Sequence, residues 1–458
     1  MSNILIQNGL LVDTEWQRHA DLYIEGGKIK RIAPHIDISS LPPDTTEVNA
    51  EGKLVIPGCI DAHTHYHLVS RGTVTADSFL EGSKCAAFGG VTTVIDFADD
   101  NKESLLNSTK ARIMEMNQGM AVDFAIHEGV YAYRETISQE MAEIKKRGVN
   151  AIKIFTTYKN CGYLVEKKEE LSAIFKAAKE HNLLVCVHCE DDKTICDIDT
   201  SWKGEHRPID HASLRPAEAE AKAIEYVGEL AKELDMYVYI VHLSSKLGLE
   251  AVRKLRGEGA KLIVETTPHY LFLNKNLLEG EDGSLYVMTP PLRAEEDNLA
   301  LQEALCNGEI QVVATDHCSF TKEQKLSSSD CRTILPGIPG TEELLPLVHT
   351  LTASSSLSLQ QVVNLVSTGP AKAFGLYPIK GSLKEGSDAD VIIFDPDCTW
   401  TLSKDTIHSA SGYTCYEGYD VIGKVIMTYL RGRLVMGDDV YLGIPGDGRF
   451  VKGHKAEL

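Results

Sequence analysis

The stretch "IPGCIDAHTHYH", residues 56–67, decides the reading of this chain. An apolar, strand-like run ends at Ile60, and Asp61, His63, His65 and His67 follow at alternate positions. Side chains alternate along a strand, so His63 and His65 fall on the same side. Two neutral imidazoles placed this way can hold one metal ion, with a carboxylate completing the set.

Seven more apolar runs follow: "VTTVIDFA", "VDFAIHEGV", "VNAIKIFTTY", "LLVCVHCE", "MYVYIVHLSS", "KLIVETTPHY" and "IQVVATDHC". Helix-length amphipathic stretches such as "RPAEAEAKAIEYVGELAKEL" lie between several of them. Continuous apolar strands alternating with helices make a parallel sheet covered on both faces. Eight of them over about 300 residues predict an α/β fold, a (β/α)8 TIM barrel, with its working face at the C-terminal strand ends. Residues 1–56 and 380–458 instead read as short β segments with Gly-Gly and Asn-Gly turns. The chain is therefore divided into residues 1–56 and 380–458, two parts of one small β-sandwich domain, around a barrel at 57–379.

Unusual polar residues fall at the barrel's strand ends. His63 and His65 follow strand one, His188 ends strand five, His242 strand six and Asp316 strand eight, while Lys153 sits inside strand four. A lone histidine after an apolar run is most simply a hydrogen-bonded core residue; four of them with Asp316 around one barrel mouth point to a metal. His127 reads equally as a structural hydrogen-bonder, His67 as a substrate contact or a solvated residue, and His317 as facing away. Burying Lys153 as an ammonium is costly. Two readings stay open: an ion pair with a buried carboxylate, or a carbamate formed with carbon dioxide, whose oxygens can bridge two cations.

Composition bounds the function. The formal net charge is -20, with no Lys/Arg-rich block, which argues against a nucleic-acid partner. No window approaches the ~18 apolar residues of a membrane span, and "MSNILIQNGLLVDTEW" does not read as a secretory signal. The 11 cysteines are scattered without a CxxC, several in apolar strand-like runs (Cys85, Cys186, Cys189). Reduced thiols in a cytoplasmic protein are expected.

In order along nearly the whole chain, "GCIDAHTH", "FGGVTTVIDF", "AIKIFTTY", "VHCE", "HRPIDHASLRPAEAE", "VHLSS", "ETTPHYLFL", "TPPLR", "ATDHC", "STGPAKAFGLYP" and "GSLKEGSDADVIIFDP" resemble the dihydropyrimidinase and D-hydantoinase family of cyclic amidohydrolases. The resemblance implies a small-molecule cyclic amide substrate and two divalent metal ions, zinc, that generate a nucleophile from water at neutral pH. His63, His65 and Asp316 would hold one ion and His188 and His242 the other, with carbamylated Lys153 bridging them. Asp316 would act as general base and then acid, and Tyr158 would donate to the developing oxyanion. Thr289, in "MTPPLR", would hold the ring in place of the family's serine.

One position departs from the pattern. "LPGIPGTEE" puts Pro336 where the family has an asparagine whose backbone touches substrate. Proline offers a carbonyl but no N–H. A dihydroorotase or allantoinase would carry arginine at the place of His67; Arg71, four residues further on, could serve a carboxylate, but the spacing does not match that pattern. A metal-free scaffold would have lost ligands that this chain keeps. The loops "HYHLVSRGTVTADSF" and "TTYKNCGYLV" would gate the ring substituent; the former is polar and suits small or polar groups. The resemblance also implies a homotetramer, and the polar tail "GDGRFVKGHKAEL" reads as crossing to a neighbour or disordered.

Overall fold

The structure, a computed structural model, describes residues 3–165 and 167–457. Eight parallel strands occur in chain order: Cys59–Thr64, Val91–Ala98, Asp123–Gly129, Ala151–Phe155, Leu184–His188, Tyr237–Ile240, Lys261–Thr266 and Val312–Val313. They are called barrel strands one to eight. The ring closes where Thr64 pairs with His317, beyond strand eight, and His65 N–H donates to the His317 carbonyl at 2.7 Å. A helix lies in each crossover, among them Phe79–Phe88, Leu105–Gly119, Ile137–Arg147, Ala217–Glu233 and Lys246–Gly257. The third of these carries Lys145, Lys146 and Arg147 in its last turn and stops at Gly148, φ 102°, where a left-handed cap favours glycine.

Strand eight is shorter than the apolar run "IQVVATDHC" predicts. It ends at Val313 because the Thr315 N–H and hydroxyl turn to the Asp61 carboxylate, at 3.0 and 2.5 Å. Asp316 therefore lies beyond the strand at φ 51°, and His242 lies beyond strand six at φ 37°.

Two further sheets are built from the chain ends, one of four strands from the N-terminal segment alone and one of seven strands from both ends. The larger pairs Leu54–Pro57 with Val391–Thr401, so residues far apart in sequence share one ladder. Ile6, Leu22, Ile24 and Ile29 from the smaller sheet and Leu11, Val55, Val391 and Ile393 from the larger form their joint core. This is the expected sandwich.

Two expectations change. Cys85 sits on a helix (Phe79–Phe88), not in a strand-like run. The C-terminal tail is ordered against its own chain over residues 446–457. Gly446 and Gly448 N–H groups donate to the Met120 carbonyl, Val451 N–H to Phe124 and His454 N–H to Gly375. It thus lies against the segment leading into and starting strand three, at the barrel's N-terminal end. No described helix is long and apolar enough to cross a membrane.

Candidate metal centre

A cavity of about 360 Å³ opens at the C-terminal strand ends. Its walls include His63, His65, Lys153, Tyr158, His188, His242, Thr289, Asp316 and Pro336, every site residue expected from sequence. The weaker histidines stay outside it. His67 is exposed, His127 Nε2 contacts the Ala62 carbonyl at 3.0 Å, and His317 Nε2 contacts Asp77 at 2.9 Å.

The side chains fall into two adjoining groups. Asp316 Oδ1 is 3.2 Å from His63 Nε2 and 3.1 Å from His65 Nε2. His188 Nδ1 is 2.9 Å from His242 Nε2. His63 and His242 join the groups, with ring centroids 5.5 Å apart. Burial alone would raise the Asp316 carboxyl. The charge of His63 and the hydrogen bond and charge of His65 outweigh it and hold the group well below the usual carboxylate range. Burial pushes His242 well below, and His188 below, the ordinary imidazole range. Neutral imidazole is the form that binds metal.

Lys153 is 1 % exposed, with its Nζ 5.2 Å from the Phe97 ring centroid and 5.3 Å from that of Phe155. Among the described residues no carboxylate comes within 4.0 Å of it, so the ion-pair reading lacks its partner. Burial lowers its pKa. Tyr158 stands at φ 69° just past strand four, and burial pushes its phenol up to about 12 despite Arg215 and a hydrogen bond with Thr289. Pro336 is followed by Gly337, whose N–H donates to the Val287 carbonyl at 3.1 Å.

Sequence reasoning missed the residues that aim these groups. Glu265 Oε1 lies 2.8 Å from His63 Nδ1, and its other oxygen accepts from Tyr239 at 2.7 Å. Glu190 Oε2 lies 2.7 Å from His188 Nε2 and is itself clamped by Arg215. Each carboxylate engages one ring nitrogen and leaves the other toward the cavity. Glu265 was findable, since a carboxylate inside the apolar run "KLIVETTPHY" is the anomaly that flagged Lys153. Lys325 was not. It is fully buried, and its ammonium donates to the carbonyls of Val287, Leu335 and Gly337 at 2.6, 2.8 and 3.0 Å. It thereby ties together the two loops that carry Thr289 and Pro336.

A second acidic group, Asp123, Asp388 and Asp390, has metal-like spacing. Lys380 Nζ already sits among these carboxylates at 2.5, 3.0 and 2.7 Å, and Arg431 also pairs with Asp123. This cluster is an ion-pair network linking strand three to the sandwich.

A parallel barrel with clustered imidazoles and a carboxylate at its mouth defines a metal-dependent hydrolase of the amidohydrolase class, and residues 54–435 match the amidohydrolase family. The chain is 35% identical over 460 residues to D-hydantoinase from Ralstonia pickettii, covering 99% of each. It is 34% identical over 465 residues to dihydropyrimidinase from Arabidopsis thaliana, covering 98% of this chain and 85% of that one. The crystal structure of dihydropyrimidinase from Brevibacillus agri superposes with a TM-score of 0.94 at 32% identity, covering 99% of both chains. The chain belongs to the dihydropyrimidinase and D-hydantoinase family of amidohydrolases.

Proposed function

We propose that this protein hydrolyses cyclic amides, opening the ring of hydantoins or dihydropyrimidines at a two-metal centre. The observation that carries this is the convergence of His63, His65, His188, His242, Asp316 and the buried Lys153 on one cavity, which His269 also lines, in a chain whose relatives bear those enzyme names. A complete donor set speaks against a non-catalytic scaffold.

The residues fit divalent metal ions by their chemistry. His63, His65 and Asp316 offer ligand atoms within 4.8 Å of one another, and Glu265 and Glu190 fix which nitrogen of His63 and His188 is offered. By this reading His63, His65 and Asp316 would hold one ion and His188 and His242 the other, with Lys153, as a carbamate, supplying anionic oxygen donors to the centre. The lowered pKa favours the neutral amine, whose nitrogen bonds the carbon of CO₂ while a proton leaves to solvent. Zinc suits this nitrogen and oxygen set. When bound, the ions polarise a ring carbonyl and make water acidic enough to attack near neutral pH.

The chain's own groups do the rest. Asp316 takes the attacking water's proton and returns it to the ring nitrogen as the C–N bond breaks, giving an N-carbamoyl amino acid. Tyr158, protonated at neutral pH, donates to the carbonyl oxygen as charge develops there. Thr289 and the Pro336 carbonyl hold the ring. Because Pro336 has no N–H and that of Gly337 is engaged by Val287, these two residues present the substrate only with acceptors.

Eleven unbonded cysteines support a reducing, cytoplasmic setting. The homotetramer rests on the family resemblance, and the boundaries near 56 and 380 rest on the β-rich texture of the two chain ends. The test is ring opening of 5,6-dihydrouracil and D-5-phenylhydantoin by zinc-loaded protein. Turnover of one, abolished by a chelator, supports the reading; metal-bound protein that opens neither overturns it.

A further inference from the structure

The cavity at the strand ends carries one guanidinium, Arg71. It also lines an adjoining chamber of about 300 Å³, and the two spaces share Tyr158, Thr289 and Pro336 as walls. Arg71 therefore stands where a substituent would leave the ring site.

Local structure holds it there. Val69–Ser70 and Thr73–Val74 form a small antiparallel hairpin, with Ser70 opposite Thr73. Arg71 (φ 49°) and Gly72 (φ 80°) make its two-residue turn, and positive φ at both central positions is the hairpin form that matches strand twist. Gln324 pins the hairpin by donating to the Thr73 hydroxyl at 2.6 Å and the Val74 carbonyl at 3.0 Å. The guanidinium reaches across the mouth to the carbonyls of Arg332 and Ile334, at 3.3 and 3.5 Å.

The charge of Arg71 is left uncompensated. Among the described residues no carboxylate comes within 4.0 Å of it. Neighbouring guanidiniums are committed, Arg215 to Glu190 at 2.5 Å and Arg332 to Asp330 at 2.6 Å. Asp99, on the cavity wall, accepts from the Tyr131 hydroxyl at 2.5 Å. Two long carbonyl contacts leave donors of a five-donor fork free, and that fork matches a carboxylate. Leu68, Phe155 and Tyr163 supply apolar wall for a short linker.

We propose that Arg71 is a specificity residue that binds an anionic group on the ring substituent, so that the preferred substrates are cyclic amides bearing a side-chain carboxylate. This rests on the ring-opening reading above. It goes beyond it by naming the substituent.

The test compares hydantoin-5-acetic acid with its neutral near-isostere hydantoin-5-acetamide, on the metal-loaded full chain at low salt. The quantity read is the acid-to-amide ratio of kcat/KM, which cancels any general loss of activity. A charge-assisted pair predicts a ratio of roughly ten to a hundred. The ratio falls with added salt because the site is open to water. In Arg71→Gln it drops to about one or below, and in Arg71→Lys it is intermediate. A wild-type ratio near one, a ratio that survives Arg71→Gln, or turnover of hydantoin with neither derivative accepted overturns the Arg71 assignment alone. Failure to open hydantoin and dihydrouracil as well overturns the ring-opening reading, and this inference with it.

Discussion

Glu265 Oε1 lies 2.8 Å from Nδ1 of His63, with both side chains buried. The pair joins strand seven to strand one and turns Nε2 of His63 toward Asp316. A carboxylate in this place fixes the tautomer and raises the basicity of the free nitrogen.

Glu265→Gln should therefore weaken metal binding by roughly ten- to a hundredfold while the barrel stays folded. Chelator competition on the purified variant reads this directly. Wild-type affinity would mean that Glu265 serves packing only.

Tyr158→Phe keeps the ring and removes the donor. The expected result is a fall in kcat of roughly a hundred- to a thousandfold with KM little changed, because the bond strengthens as charge develops. A rise in KM at constant kcat would make Tyr158 a ground-state contact instead.

Lys325→Met keeps the length of the side chain and leaves the carbonyls of Val287, Leu335 and Gly337 without their donor. Both substrate-side loops hang on this ammonium. A higher KM should accompany a loss of about 2–4 kcal/mol in stability. A lower melting temperature with unchanged KM would show that the loops hold their shape without it.

Glu343 gives a pH prediction. Burial, helped by the nearby Glu342 charge, raises its pKa from 4.5 to about 7 in the folded protein. Below about pH 4.5 both states hold the proton and the group costs nothing. Between pH 4.5 and 7 the unfolded chain has released it and the native state has not, so stability falls as pH rises. Above pH 7 the full cost, about 3 kcal/mol at most, is present. Glu343→Gln should therefore melt higher than wild type at pH 8, with the advantage shrinking toward pH 5. An advantage independent of pH would contradict this.

What the sequence revealed follows from where the physics is local. The barrel was legible because strands buried on both faces must be apolar throughout, so each candidate ligand stands out as an interruption. Lys153 in "AIKIF" and His188 in "VCVHCE" are of that kind. Strand eight was misjudged in length because its end is set by Thr315 bonding Asp61, more than 250 positions away. The tail was misjudged because backbone groups, such as the N–H of Gly448 on Met120, hold it in place. Side-chain patterns do not encode such bonds. Lys325, in "TKEQKL", has the texture of a solvated turn, and its burial arises only when distant loops close over it.

Asp316 touches both imidazoles of the first pair and is the group proposed to carry the proton to the leaving nitrogen. The most direct measurement is kcat for dihydrouracil or hydantoin opening by Asp316→Asn beside wild type, at matched metal content. A fall of at least about a hundredfold is expected, since asparagine cannot accept and return the proton. A variant with bound metal and a nearly normal rate would contradict it.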